Sequence, residues 1–168
     1  MYHTATRQET RAMLTLFWLT GGRPAEIMEL QKRHITFTEE KIIIKISTKK
    51  LGKTGHFMVR NRTLQIKIDQ DHPYIQNLKR YLQRIKNPER TIIQMSRRTL
   101  YNKINQIGYD ALGLSICPYN FRHSRMTLLA EKGASKEQLK RFKGSRTDKS
   151  VDAYIHARKI DYDVEVDL

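Results

Sequence analysis

Thr20-Gly21-Gly22-Arg23-Pro24-Ala25-Glu26 decides how the first part of the chain folds. Paired glycines favour a turn over a continued helix, and proline is preorganised for the first position of the helix that follows. The apolar residues before the break, Met13, Leu14, Leu16, Phe17 and Trp18, form the mostly buried face of one helix. That helix is predicted to begin near Thr6, because Thr6-Arg7-Gln8-Glu9 has the form of a capping box. Beyond the break a second helix starts at Pro24, carries Glu26 in its first turn and turns Ile27 and Leu30 inward. Arg23 stands where backbone N–H groups and a positive helix end point the same way as its guanidinium, an arrangement suited to an anion.

Working outward, the hydrophobic period changes from helix to strand. Ile42-Ile43-Ile44-Lys45-Ile46 is a β-branched run typical of a strand. Lys49-Lys50-Leu51-Gly52-Lys53-Thr54-Gly55 is a basic, glycine-bearing connection to His56-Phe57-Met58-Val59 and then to the alternating Leu64-Gln65-Ile66-Lys67-Ile68. These segments predict a small antiparallel sheet with a lysine-rich turn. Helical periodicity returns at 72–85, where Ile75, Leu78, Tyr81 and Leu82 share a stripe, and again at 97–107. Pro118 opens a helix that runs to about Lys132 and stops at Gly133. Ser135-Lys136-Glu137-Gln138 caps another, with Leu139 and Phe142 inward, and a last helix spans 147–158. The expected fold class is α+β, mainly α, with a small antiparallel β-sheet between helices.

The chain has 168 residues and a net charge of +15, from 32 Lys and Arg against 17 Asp and Glu. Its hydrophobic fraction of 39% supports a core and excludes wholesale disorder. One cysteine, Cys117, excludes an intramolecular disulfide, and no Cys/His cluster has zinc spacing. No apolar run reaches the roughly 20 residues of a membrane span, and the first residues lack a signal-peptide layout. A soluble, cytoplasmic protein with a polyanionic partner, most often nucleic acid, is the expectation. Four of the acids, Asp161, Asp163, Glu165 and Asp167, alternate with Tyr162, Val164, Val166 and Leu168 at the very end. This is the pattern of a strand with one acidic and one apolar face, suited to docking onto protein; a frayed, charge-solvated tail is the plain alternative.

Four places can carry chemistry, and each has an ordinary reading beside the functional one. Arg23, taken alone, is a surface or phosphate-contact residue. Arg122 lies in Pro118-Tyr119-Asn120-Phe121-Arg122-His123-Ser124, where Tyr119 and Arg122 share a helix face, His123 adjoins it and Phe121 turns to the core. Lys49, Lys50 and Lys53 are either solvated turn lysines or residues reaching a DNA groove. Tyr154, in Asp152-Ala153-Tyr154-Ile155-His156, is by itself a half-buried packing residue.

Together these segments resemble the tyrosine recombinases, the family of phage, plasmid and archaeal-virus integrases and Xer-type resolvases. Thr20-Gly21-Gly22-Arg23-Pro24-Ala25-Glu26 resembles their T-G-x-R-x-x-E box. Asn120-Phe121-Arg122-His123-Ser124 with Thr127 is similar to their second arginine box, H-x-L-R-H-[ST]-x-x-T, and residues 139–156 to their closing segment. The resemblance covers about 6–157 and implies the family's chemistry. Tyr154 would attack the phosphodiester and form a 3′-phosphotyrosyl link, Arg23 and Arg122 would hold the scissile phosphate, and Lys49 would act as general acid, with Lys50 and Lys53 as alternatives.

Two substitutions mark this chain. Tyr119 stands where the family has a histidine, a variant similar to that of some archaeal virus integrases; a phenol donates a hydrogen bond but is a poor base near neutral pH. Ser145, in Lys143-Gly144-Ser145-Arg146, replaces a family His or Trp, with Lys143 or Arg146 as substitute donors. The resemblance also implies a catalytic domain at 1–160, a tail at 161–168, an absent N-terminal DNA-clamping domain, and a homo-oligomer on DNA, a tetramer in the full-length protein, joined through the C-terminal segment.

The physical logic runs parallel. Cleaving a phosphodiester without a metal or cofactor needs a nucleophile, cations for the pentavalent phosphate and a proton donor for the leaving 5′ oxygen. Arginines meet phosphate oxygens bidentately, and a phenol of pKa about 10 is expected to gain nucleophilicity beside them. The expected activity is site-specific DNA recombination, integration or excision. A type IB topoisomerase-like enzyme and a basic DNA-binding module without chemistry are the alternatives.

Overall fold

In a computed structural model, residues 1–51, 57–145 and 147–155 are described, with backbone alone at 49–51, 57, 58 and 60. Helix α1, Gln8–Thr20, buries Met13, Leu16 and Phe17 completely and packs on α3 and α5. It ends at Gly21, whose φ of +52° is the left-handed conformation that glycine adopts without a Cβ penalty. Its start differs from the sequence expectation. Arg7 is the N-cap, with no side-chain cap bond, and the Glu9 carboxylate accepts from the Gln94 backbone N–H at 2.6 Å instead of closing a box with Thr6. A long-range partner has taken the group that local pattern assigned to the cap.

Helix α2, Pro24–Met28, follows at once, and a 3-10 turn, Lys32–His34, leads into the sheet. The sheet has the order β1-β2-β3, all antiparallel, with β1 at Ile35–Phe37, β2 at Lys41–Leu51 and β3 at Phe57–Lys67. Ile42, Ile44 and Ile46 are buried, so one face of β2 lies on the core as a period of two requires. Two features exceed the expectation. The segments read as 56–59 and 64–68 are one continuous strand, and Ile35–Phe37 adds a short edge strand.

Helices α3, Pro73–Arg84, α4, Arg97–Leu112, α5, Pro118–Glu131, and α6, Lys136–Lys143, complete the body, with a helical stretch at 149–155, here α7. Helix α4 runs past the expected Ile107 to Gly113, whose φ of +68° closes it. At α6 the capping box forms as written: Gln138 N–H donates to Ser135 Oγ at 3.2 Å, and Ser135 N–H to Gln138 Oε1 at 2.7 Å. The mainly helical α+β fold is as expected.

The core has two parts. The larger joins α1, the sheet, α3 and α4 through Phe17, Ile44, Leu78 and Ile104. The smaller, Met126, Ala130, Leu139, Val151 and Tyr154, locks α5, α6 and α7 together. Phe121 joins α5 to the larger core, its ring centroid 5.8 Å from that of Phe17. Trp18 departs from the buried face expected for α1: it is 36% exposed, with the Arg125 guanidinium 5.4 Å above its ring. Lys53, Arg146, His156 and the acidic tail at 161–168 lie outside the described residues.

Candidate active site

The two cores meet where the α1–α2 break faces the starts and ends of α5, α6 and α7. Arg122, on α5, is only 4% exposed. Its Nη1 donates to the Gly21 carbonyl at 2.6 Å and its Nη2 to the Lys143 carbonyl at 2.5 Å. The Gly21 turn is what presents that first carbonyl. Burial, with Arg23 and Arg62 nearby, pushes the Arg122 guanidinium down to about 10 against the opposing pull of Glu26 and Tyr154, so it stays charged at neutral pH.

Arg23 caps α2 and is bound back to it. Its backbone N–H donates to Glu26 Oε2 and its Nη1 to Glu26 Oε1, both at 2.8 Å. The anion expected at this helix start is therefore supplied by the chain itself, as the Glu26 carboxylate. Glu26 is buried and also accepts from Thr48 Oγ1 at 2.5 Å and from Arg62, Nη1 to Oε1 at 3.2 Å and Nη2 to Oε2 at 3.0 Å. Burial alone would raise its pKa. The Arg62 charge and the hydrogen bonds from Arg62, Thr48 and the Arg23 N–H outweigh burial and bring it from 4.5 to about 2.

Tyr154, on α7, is 9% exposed, and its hydroxyl lies 2.8 Å from His123 Nδ1. The Lys143 Nζ stands 5.0 Å from the centre of the Tyr154 ring and donates to the Ser150 carbonyl. Burial, followed by Arg122 and Arg23, lowers the Lys143 pKa. The phenol itself departs from the expectation that nearby cations lower it: burial outweighs Arg122, and its pKa is raised above 10.0. Ser145 Oγ accepts from Ser150 Oγ at 2.6 Å, tying the loop after α6 to the start of α7.

Lys49 and Lys50 occupy the far end of β2, paired with Val59 and Met58. Tyr119 is 40% exposed, and its hydroxyl makes no hydrogen bond to Arg122, His123 or Tyr154. Among the described residues no His/Cys/Asp/Glu group could hold a metal ion, and no helix is long and apolar enough to cross a membrane.

Residues 1–160 match the Phage integrase family. The chain belongs to that family. The fold is that of solved tyrosine recombinases. The XerH site-specific recombinase bound to palindromic difH substrate, in a post-cleavage complex, superposes with a TM-score of 0.71 at 20% identity over 96% of this chain and 46% of that one. The XerA recombinase gives 0.69 at 16% identity over 91% and 54%, and the integrase from mycobacterium phage Brujita 0.58 at 18% over 88% and 47%. This integrase-family chain thus spans about half the length of the solved structures it matches. No curated protein sequence matches it.

Sequence reasoning missed Arg62. It sits in an unbroken polar run, Arg60-Asn61-Arg62-Thr63, in a chain rich in basic residues. Only the β2–β3 register, which sets Arg62 opposite Ile46, brings it to Glu26. Its parity with the inward Leu64, two residues on, was the one available signal.

Proposed function

We propose that this chain is the catalytic part of a site-specific DNA recombinase that cuts and rejoins double-stranded DNA through a 3′-phosphotyrosyl intermediate. The observation that carries the reading is the Tyr154 phenol with an imidazole nitrogen 2.8 Å from its hydroxyl, the Lys143 ammonium 5.0 Å from its ring centre and the Arg122 charge acting on it, in a chain of the integrase family. Two of the five N–H groups of Arg122 are bound to carbonyls, so three remain for phosphate oxygens. Arg23 reaches the same centre electrostatically.

In the proposed step Tyr154 Oη attacks phosphorus and passes its proton to His123 Nδ1. The P–O5′ bond breaks as the P–O(Tyr) bond forms, and Lys49 (or Lys50 or Lys53) gives a proton to the leaving 5′ oxygen. Arg23 and Arg122 take the charge that builds on the non-bridging oxygens. Tyr119, one turn before Arg122 and His123 on α5, donates a hydrogen bond to phosphate. Lys143 offers a cation beside the phenol, Ser145 fixes the loop that carries it, and Arg146 is its alternative. Religation is the same step reversed, with the 5′ hydroxyl as nucleophile. Self-association on DNA through the segment at 161–168 completes the reading, the strict acid–apolar alternation being its support.

The test is capture of labelled duplex DNA as a protein adduct in EDTA. Wild-type chain is expected to become covalently linked and Tyr154→Phe to remain unlinked. Adduct in Tyr154→Phe would move the nucleophile elsewhere, with Tyr162 next. Tight DNA binding without adduct in the wild type would favour the module without chemistry.

A further inference from the structure

Glu26 carries more donors than it has places for. A carboxylate offers roughly four lone-pair sites, yet five protons converge on Glu26: the Arg23 N–H, Arg23 Nη1, Thr48 Oγ1, and Arg62 Nη1 and Nη2. Three of them crowd Oε1. One contact is surplus, and the geometry shows which can leave.

The two arginines hold Glu26 unequally. The Arg62 side chain is 10% exposed and addresses both carboxylate oxygens in a fork. It is also walled in, because a Cβ built on Gly144 would lie 2.6 Å from its Nη1, and its Nε is buried without a hydrogen-bond partner among the described residues. The Arg23 side chain is 37% exposed and reaches Glu26 through a single nitrogen. Removing that nitrogen leaves the carboxylate with the Arg62 fork, the Thr48 hydroxyl and the Arg23 backbone N–H.

We propose that Arg62 is a positioning residue which serves as the permanent counterion of Glu26 and so frees the Arg23 guanidinium to exchange Glu26 for a phosphate. This rests on the reading of the site as a phosphodiester-cleaving centre. Before phosphate arrives, Glu26 holds Arg23 folded back and tempers the repulsion between Arg23 and Arg122. When phosphate arrives, Arg23 turns outward. Glu26 remains neutralised, so no buried carboxylate is stranded.

Calorimetric titration with inorganic phosphate separates this role from a merely structural one. In Arg62→Gln the carboxylate has Arg23 as its remaining guanidinium, so phosphate affinity is expected to fall about tenfold, the equivalent of one charge-assisted contact. Adding Glu26→Gln to Arg62→Gln removes the charge that retains Arg23 and is expected to restore affinity to within about threefold of wild type. If Arg62→Gln does not fold, Arg62→Met takes its place, since it removes the counterion charge while keeping an apolar stem of similar length; its phosphate affinity is expected to fall with an unchanged near-ultraviolet circular dichroism spectrum. Unaltered phosphate affinity in the folded single variant, no recovery in the double variant, or no phosphate binding by the wild type would each overturn the proposal. Absence of a covalent DNA adduct with wild type, alongside this pattern of phosphate binding, would instead sink the cleavage reading and leave the counterion role standing.

Discussion

The Tyr154 hydroxyl and His123 Nδ1 are 2.8 Å apart, although 31 residues separate them in sequence. Helix α5 carries the imidazole one position after the buried Arg122, so the same turn that places the arginine also aims a ring nitrogen at the phenol. Burial raises the Tyr154 pKa above its ordinary 10.0, so the attack proposed above needs a proton acceptor, and His123 Nδ1 stands at hydrogen-bond distance. His123→Ala is expected to slow adduct formation by about a hundredfold or more. Duplex affinity should stay within about threefold, since the exposed imidazole contributes little to backbone-phosphate binding. Single-turnover capture with saturating protein reads the first quantity, and filter binding the second.

Arg122 tests geometry rather than charge. Lysine keeps the cation but cannot donate simultaneously to the Gly21 and Lys143 carbonyls as a planar fork does. Arg122→Lys is expected to lose about 2 kcal/mol of stability through the carbonyl left unpaired. It should also lose at least about a hundredfold in adduct rate. Urea denaturation and covalent capture on the same preparation check both.

Glu26 makes stability depend on acid. Its folded pKa, about 2, lies below the ordinary 4.5. The stabilisation is therefore complete above pH 4.5 and is lost as pH falls toward 2. A depression of this size corresponds to about 3 kcal/mol. Denaturant unfolding across that window should show wild-type stability falling more steeply than that of Glu26→Gln, and parallel curves would contradict the assignment.

Gly144 has a φ of +66° and abuts the Arg62 guanidinium. An alanine there must adopt a left-handed backbone and displace a side chain pinned on Glu26. Gly144→Ala is expected to cost about 1–2 kcal/mol. The same change at Gly113, whose φ is +68° but whose Cβ position is open, isolates the backbone part. Thermal melts should rank Gly144→Ala below Gly113→Ala.

Where one residue's own chemistry dictates a local event, the outcome was legible. Gly21 ends α1, Pro24 and Pro118 begin α2 and α5, and Ser135 caps α6, each because the determinant and its partner lie within four residues. Arg122 and Tyr154 were legible as members of a pattern, but the burial of Arg122 was not. What escaped is long-range. Glu9 left its local cap for Gln94, Arg62 found Glu26 across 36 residues, and the phenol's environment depends on α5 and α6 closing over α7. Such pairings are set by strand register and core packing, which a residue's immediate neighbours do not encode. The edge strand Ile35–Phe37 was missed for a related reason: three residues are too few to show a period, and only pairing with β2 makes them a strand.

The two carbonyls that receive Arg122 have a thermodynamic consequence. A free arginine side chain surrenders up to about 2 kcal/mol of rotamer freedom when a contact fixes it. Arg122 surrenders that freedom when α5 packs against the Gly21 turn and the end of α6. In the proposed function an incoming phosphate therefore meets a guanidinium already held by two carbonyls, and much of the entropic penalty of recognition at that position falls on folding rather than on the encounter.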